Sequence, residues 1–147
     1  MNEEDAGQLR EAFEKIGFME HMDSELFTML TTLFQKRTYE KDDIIIKKDE
    51  TGDSFSIISR GKAFVSVEDE EGRVKKTAQM GEGDFFGEIA LIAGGGRTAS
   101  ITAAEKVETF FIQKNDLQTR LMTIPGIRKK ILQAARVRIQ NQGNTPA

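Results

Sequence analysis

The sequence predicts an α+β fold in which an eight-stranded antiparallel β-roll, also called a double-stranded jelly roll, lies between helical ends. Residues 37–112 follow the two-residue period of strands, and turn sequences interrupt them at short, regular intervals. Before and after this region, apolar residues recur at helical spacing. We expect one domain over residues 1–140, with the roll at about 36–113, C-terminal helices over 114–140 and a flexible tail at 141–147.

The N-terminal region is predicted to form two helices. Residues 3–20 have the spacing of a helix that Gly17 weakens or ends. Asp23 or Ser24 can cap a second helix, because both side chains accept hydrogen bonds from free amides. The apolar stripes, which we interpret as packing surfaces, are Leu9, Phe13 and Ile16 in the first helix and Leu26, Met29, Leu30 and Leu33 in the second.

The central region is predicted to be a series of short strands joined by turns. About eight strands are expected, and seven of them have an assigned range: residues 38–39, 44–46, 55–58, 62–68, 74–80, 100–103 and 107–112. The turn sequences between them are at 41–43, 49–53, 60–61, 69–72 and 81–84. The acidic run at 68–71 is interpreted as a solvated loop tip.

The C-terminal region returns to helix. Lys114 to Met122 predicts a short helix that stops before Ile124, because a residue preceding proline resists helical geometry. Pro125 suits the first turn of the next helix. That helix has an apolar face of Ile127, Ile131, Leu132, Ala135 and Ile139, and its basic residues are Arg128, Lys129, Lys130, Arg136 and Arg138.

Composition excludes several classes of function. The 147 residues contain no cysteine and one histidine, His21, so we expect no disulfide, no thiol nucleophile, no cysteine or histidine metal cluster and no cofactor. The net charge of −3 gives no bulk attraction to nucleic acid or acidic membranes. There is no apolar run of membrane-spanning length and no signal-peptide pattern, so a cytoplasmic chain is expected.

The stretch from Phe86 to Ser100 contains the chemistry of a binding site. Its short apolar run between glycines suits one or two helical turns, whose free amides and positive dipole end attract anions. Arg97 can add a bidentate grip on the same anion. Glu88 cannot serve an anion and must accept from a neutral donor, for which a sugar hydroxyl is the natural candidate. The stretch therefore predicts a ligand with an anionic group close to a hydroxyl.

Two sequences within this stretch carry a resemblance to a known family. The residues FGEIAL at 86–91 and RTAS at 97–100 resemble the phosphate-binding cassette of cyclic nucleotide-binding domains. Arg97 follows Glu88 by nine positions, as in the kinase and channel branches of that family. The family also includes the regulatory subunits of the cyclic-AMP-dependent protein kinase and the bacterial catabolite activator. The similarity covers about residues 36–113 and, more loosely, the flanking helices.

The resemblance implies a role for individual residues of the cassette. Glu88 matches the acid that accepts from the ribose 2′-hydroxyl, and Arg97 matches the arginine that pairs with the cyclic phosphate. Thr98 and Ala99 match positions beside phosphate and purine. The amides around Gly87, Ile89 and Ala90 match those that close on sugar and phosphate, Val67 matches an apolar position facing the base, and Phe86 matches a position near sugar or base.

The chain also departs from the family pattern. Lys41-Asp42-Asp43 lacks a glycine that the family often has, and Lys48 stands where another is common. Both positions are in loops away from the cassette. Gly96 replaces the usual proline before the arginine, which implies a more mobile loop without ligand. The departures concern turn geometry more than binding.

The resemblance implies a regulatory module that binds a cyclic purine nucleotide and moves its C-terminal helix as a lid. Arg138 stands where some channel-type domains place an arginine over the purine, and a solvated Arg138 is the open alternative. Cyclic AMP is favoured over cyclic GMP because it is the more common ligand of such domains. Thr98 resembles the threonine of cyclic-GMP-dependent kinases, although the same pair occurs in channels that answer to cyclic AMP.

Several alternatives remain open at this point. A fragment of a catabolite-activator-like transcription regulator would need a helix-turn-helix, and a β-roll serving only protein interaction would not need both Glu88 and Arg97. No catalytic set is recognisable, so an enzyme is not expected. The expected partner is an unidentified effector domain or protein, with no nucleic acid, and the amphipathic end helices leave a homodimer open.

Overall fold

A computed structural model describes residues 1–46, 53–68, 71–88 and 99–140 of the chain. The helices are α1 (Glu3–Lys15), α2 (Ser24–Leu30), α3 (Lys114–Thr119) and α4 (Pro125–Gln140), with 3₁₀ turns at Met19–His21 and Leu121–Thr123. The strands are β1 (Gln35–Tyr39), β2 (Ile44–Ile46), β3 (Ser54–Arg60), β4 (Ala63–Glu68), β5 (Val74–Met80), β6 (Phe85–Phe86), β7 (Ser100–Ala103) and β8 (Val107–Gln113).

The eight described strands form two antiparallel sheets of four strands each. The first sheet has the order β1-β8-β3-β6 and the second has the order β2-β7-β4-β5. The predicted antiparallel β-roll with flanking helices is therefore confirmed. None of the helices in the described ranges combines the length and apolarity that a bilayer crossing requires.

The first sheet is buried on both faces because it lies between the helices and the second sheet. On one face, Phe55 and Ile57 of β3 and Phe110 of β8 join the helices in one hydrophobic cluster. On the other face, Ile58 of β3 and Val107 of β8 join the second sheet in another cluster. We call these the helical cluster and the roll cluster. Burial on both faces explains why consecutive residues are buried from Phe55 to Ile58 in β3 and from Thr109 to Ile112 in β8.

The N-terminal helices follow their predicted signals, with one correction. Asp23 caps α2 by accepting a hydrogen bond from the Leu26 amide at 2.8 Å. The first helix was expected over residues 3–20 but ends at Lys15. The reason is Gly17, whose φ of +78° lies in the left-handed region that ends helices.

The C-terminal helices also begin and end close to their predicted positions. Pro125 begins α4, as predicted. The helix expected from Lys114 to Met122 divides instead into α3 and a 3₁₀ turn. The Arg120 amide still donates four residues back, to Asp116, whereas the Thr123 and Ile124 amides donate three residues back, to Arg120 and Leu121. This tight connection lets α4 return over the helical cluster, where Ile127 and Ile131 are fully buried.

A charge cluster fastens α1 to the first sheet. Nζ of Lys36, in β1, lies 3.2 Å from Oδ1 of Asp5 and 3.1 Å from Oε1 of Glu108. It also donates a hydrogen bond to Oε1 of Gln8 at 2.9 Å. Burial disfavours the charged amine, but hydrogen bonds to Glu108 and Asp5 outweigh it and raise the pKa of Lys36 above 10.5. The cluster thus stabilises the fold while Lys36 is protonated.

The raised pKa of Lys36 predicts a loss of stability in the alkaline range. Its contribution is fully present below pH 10.5 and is lost as the pH rises through the higher pKa of the folded state. Urea unfolding of Lys36→Met should therefore show a shallower alkaline loss than the wild type. Lys106→Met, at an exposed lysine, is the control and should keep the wild-type slope. Equal slopes in all three proteins would contradict the role of the cluster.

Candidate functional site

The site predicted from the sequence begins where β6 ends. Gly87 has a φ of +97°, a conformation that glycine adopts with little strain, and it turns the chain directly into Glu88. Glu88 is fully buried, with 0% of its surface exposed. A glutamate is almost never fully buried unless its carboxyl group is satisfied by donors or paired. Its burial next to a left-handed glycine sets it apart from an ordinary surface charge, and its role as a binding residue stays a prediction.

The residues at the two ends of the cassette lie on different sheets but share one cluster. Phe86 pairs with Ser56 in the first sheet, and Ala99 directly precedes β7 of the second sheet. Both side chains are about 1% exposed and belong to the roll cluster. Val67 of β4 is partly buried against the same cluster. The structure thus brings Phe86, Ala99 and Val67 together inside the roll.

Other predicted site residues lie outside the described residues. They are Ile89, Ala90, Arg97 and Thr98. The backbone of Arg138 lies in α4, near its C-terminal end, and its side chain is not described. The pairing of phosphate with Arg97 and of base with Arg138 therefore stays a prediction.

Two adjacent phenylalanines connect the site to the helices, and the sequence did not reveal this. Phe86 points into the roll cluster, while Phe85 packs against the helical cluster. The Phe85 ring centroid lies 5.3 Å from that of Phe55 and 6.2 Å from that of Phe18, which follows α1. The signal available was the pair of phenylalanines directly after the turn at 81–84. Because β6 has two residues, each points to a different face of the sheet.

Comparison with known proteins gives the family. The cyclic nucleotide-binding domain profile matches residues 36–123, which is more than half of the chain. The chain belongs to the cyclic nucleotide-binding domain family. The match includes the whole β-roll and the first turns after it, so the resemblance seen in the cassette extends through the fold.

Two similar proteins are longer than this chain, which matches only part of each. It is 30% identical over 104 residues to a cGMP-dependent protein kinase from Drosophila melanogaster, matching 69% of this chain and 11% of the kinase. It is 31% identical over 103 residues to a cyclic nucleotide-gated potassium channel from Rhizobium etli, matching 70% of this chain and 26% of the channel. The chain therefore spans about a tenth to a quarter of these relatives.

The solved structures show the same fold. The structure of cAMP-bound PfPKA-R aligns with a TM-score of 0.73 and 24% identity, covering 95% of this chain and 48% of the other. At that identity the likeness concerns the fold alone. It includes the helices as well as the roll, since nearly all of this chain is aligned.

The N-terminal turn and α4 meet through two glycines. A Cβ atom placed on Gly126 would overlap Nδ1 of His21, so the His21 ring packs directly against the backbone of α4. A Cβ atom on Gly17 would lie 3.0 Å from Nζ of Lys130, one helical turn further along α4. Gly126 of α4 thus packs against His21 of the N-terminal turn, and Gly17 before that turn packs against Lys130 of α4. From its position between two helices, His21 is expected to be a surface or packing residue, and it packs on α4 with its side chain 30% exposed.

The contact between His21 and Gly126 predicts opposite effects of one substitution in two backgrounds. Gly126→Ala should lower the free energy of unfolding by about 1–3 kcal/mol, because its methyl group overlaps the His21 ring. In a His21→Ala background the same change should be neutral or stabilising, because alanine is a better helix former than glycine by roughly 0.5–1 kcal/mol. Urea denaturation of the four proteins measures both effects. Equal effects in the two backgrounds would show that the ring does not limit the site.

Proposed function

We propose that this domain binds a cyclic purine nucleotide, with cyclic AMP preferred, and acts as a ligand-sensing regulatory module. The observation that carries the proposal is the fully buried Glu88 at the end of β6, in a chain of the cyclic nucleotide-binding family. A carboxylate inside the protein needs donors, and the 2′-hydroxyl of a nucleotide is a neutral donor of the right kind. Arg97 would neutralise the cyclic phosphate beside it.

The roll cluster supports the placement of the ligand. Phe86 and Ala99, at the two ends of the cassette, share the roll cluster with Val67, and Phe86 lies two positions before the buried Glu88. A nucleotide pocket needs this combination of an apolar wall and a few convergent polar groups. The purine would contact the apolar side chains while ribose and phosphate occupy the polar end.

A calorimetric titration of the whole chain tests the binding proposal. Cyclic AMP and cyclic GMP should each saturate one site, and cyclic AMP should bind more tightly. 5′-AMP should bind much more weakly, because its non-cyclic phosphate differs from the cyclic one in charge and in position. Tighter binding of cyclic GMP would reverse the proposed preference. If neither cyclic nucleotide produces binding heat and neither competes with the other for the domain, the proposal itself is overturned.

Thr98 offers a separate test of base preference. If its hydroxyl accepts from the guanine amino group, Thr98→Ala should weaken cyclic GMP binding by roughly 2- to 10-fold, the worth of one hydrogen bond. Cyclic AMP lacks that amino group, so its affinity should stay unchanged. Thr102→Ala, on β7 away from the cassette, is the matched control. An equal loss for both nucleotides would show that Thr98 contacts the sugar or phosphate instead.

We propose that binding moves α4 and that Arg138 covers the purine. A ligand shifts a conformational equilibrium only by its difference in affinity for the two states, so the nucleotide must contact the closed arrangement more strongly. In the described structure α4 is held by Ile127 and Ile131 in the helical cluster and by the His21 contact. Backbone NMR shifts along α4 should therefore change on saturation with nucleotide. Unchanged shifts over residues 125–140 would rule out the lid.

The effector and the cellular setting are also part of the proposal. We propose a cytoplasmic module that controls another domain or another protein and that performs no catalysis itself. Incubation of cyclic AMP with the domain should leave the nucleotide intact by liquid chromatography. Release of 5′-AMP at a rate that scales with protein concentration would contradict the non-catalytic assignment.

A further inference from the structure

A groove runs along the outward side of α4. It has a volume of about 430 Å³ and lies between this helix and the 3₁₀ turn Leu121–Thr123. Its apolar lining includes Met122, Pro125 and Leu132, and its cationic lining includes Arg128, Lys129 and Arg136. The opposite side of α4 is the one buried in the helical cluster. The groove is therefore separate from the proposed nucleotide pocket in the roll.

The cations of the groove are not neutralised by neighbouring acids. The sequence of α4 contains five basic residues and no aspartate or glutamate. Arg128, Lys129 and Arg136 are exposed and take part in none of the ion pairs observed within the described ranges. The positive charge of the groove contrasts with the net charge of −3 of the whole chain.

Two of these cations, Arg128 and Lys129, lie near the end of the helix where positive charge is unfavourable. Negative side chains stabilise the first turn of a helix and positive ones the last, because of the helix dipole. The first turns of α1, α2 and α3 follow this rule, with Glu3, Glu25 and Asp116 among their acids. The first turn of α4 has no acid, and Arg128 and Lys129 follow it directly. A cost of this kind is expected where charge serves binding instead of folding.

We propose that the groove binds an acidic amphipathic helix of a partner protein. Its cationic and apolar lining residues recur at helical spacing along α4, so a helix laid beside α4 would meet both types in turn. Apolar side chains of the partner would contact Met122 and Leu132, and its carboxylates would face Arg128 and Arg136. Carboxylates and arginine form strong bidentate pairs.

The same lining disfavours the other anionic partners. Met122 and Leu132 line the groove and are half-buried, whereas apolar side chains that anchor a helix in a bilayer are exposed on its surface. A protein surface that binds nucleic acid presents cations to the phosphates and gains little from an apolar lining. The inference rests on α4 and its groove and does not depend on nucleotide binding.

The test uses the whole chain and two fluorescent synthetic peptides of about 18 residues, five helical turns. One peptide has leucines at helical spacing flanked by glutamates, and the other has the same composition in scrambled order. Fluorescence anisotropy should show the amphipathic peptide binding at least roughly tenfold more tightly than the scrambled one, because only the first presents apolar and acidic faces together. Equal binding of the two peptides would overturn the proposal.

Matched charge reversals locate the binding on the protein. The triple change Arg128→Glu, Lys129→Glu and Arg136→Glu should weaken binding of the amphipathic peptide by roughly tenfold or more. The control triple Lys62→Glu, Lys106→Glu and Arg120→Glu alters net charge equally at exposed positions outside the groove. An equal loss in the control would show bulk electrostatics only and would overturn the docking site.

Two further measurements cover an unfolded variant and the other anionic partners. If circular dichroism shows that the triple reversal unfolds, Arg128→Gln with Arg136→Gln replaces it and should still weaken binding, with Lys62→Gln and Arg120→Gln as its control. Phosphatidylserine vesicles and a duplex DNA are titrated in parallel. Tighter binding of either of these, with the same sensitivity to the groove changes, would assign the groove to a membrane or a nucleic acid and overturn the protein partner.

Discussion

Replacing Arg97 with alanine is expected to weaken cyclic nucleotide binding by roughly 30- to 5000-fold, since losing one partner of a desolvated, hydrogen-bonded charge pair costs roughly 2–5 kcal/mol. The guanidinium would neutralise the phosphate and hold it through two parallel hydrogen bonds. Without it, the phosphate would lie near the carboxylate of Glu88, which is fully buried. Calorimetry measures the change, and the unfolding transition of the free protein should stay close to that of the wild type.

Two companion variants separate charge from geometry at this position. Arg97→Lys keeps the charge but loses the planar fork, so its affinity should fall between those of wild type and Arg97→Ala. Arg120→Ala removes an equal charge from an exposed position after α3 and should bind like the wild type. Wild-type affinity in Arg97→Ala would show that phosphate is held elsewhere and would sink the cassette assignment.

The strands that the sequence predicted best are those with one buried face. In β4, the polar Ser66 stands between Val65 and Val67, so part of the two-residue period is visible in the sequence, whereas Phe64, 48% exposed between the buried Ala63 and Val65, interrupts it. In β8, Phe110, Phe111 and Ile112 are all buried, which removes the alternation. That strand was still predicted because aromatic and β-branched residues are concentrated in it.

The elements that the sequence did not predict depend on contacts between distant residues. Strand β6 has two residues and no period, and its role follows from Phe85 and Phe86 meeting different clusters. Likewise, the contact between His21 and Gly126 exists only because α4 returns over the N-terminal turn. Neither residue carries a local signal for a partner about a hundred positions away.

The chemistry expected at the candidate site is a prediction from the sequence, whereas its environment is known only from the structure. The separation of Glu88 and Arg97 and the glycines around them indicated an anion and a hydroxyl in one ligand. The complete burial of Glu88 could not be foreseen, since acidic side chains are usually exposed and burial is decided by the packing of two sheets. Burial is what distinguishes this carboxylate from an ordinary surface charge.

Gly61→Ala is expected to lower the free energy of unfolding by about 3–5 kcal/mol, a large part of the total stability of a typical domain. Gly61 joins β3 to β4 with a φ of +94°, and a Cβ atom there would meet the backbone carbonyl oxygen of Lys106. That oxygen belongs to the turn between β7 and β8, so it cannot rotate away like the end of a side chain. The substitution would have to separate two turns that connect the sheets.

A second glycine separates backbone strain from this steric overlap. Gly72 has a similar φ of +80°, but a Cβ atom there would meet nothing within 4 Å. Gly72→Ala should therefore cost only the left-handed conformation, about 1–2 kcal/mol. The difference between the two variants in urea denaturation measures the close approach of the turns at Gly61 and Lys106. Similar losses in both would show that these turns move apart at little cost, and that backbone strain alone makes glycine necessary at position 61.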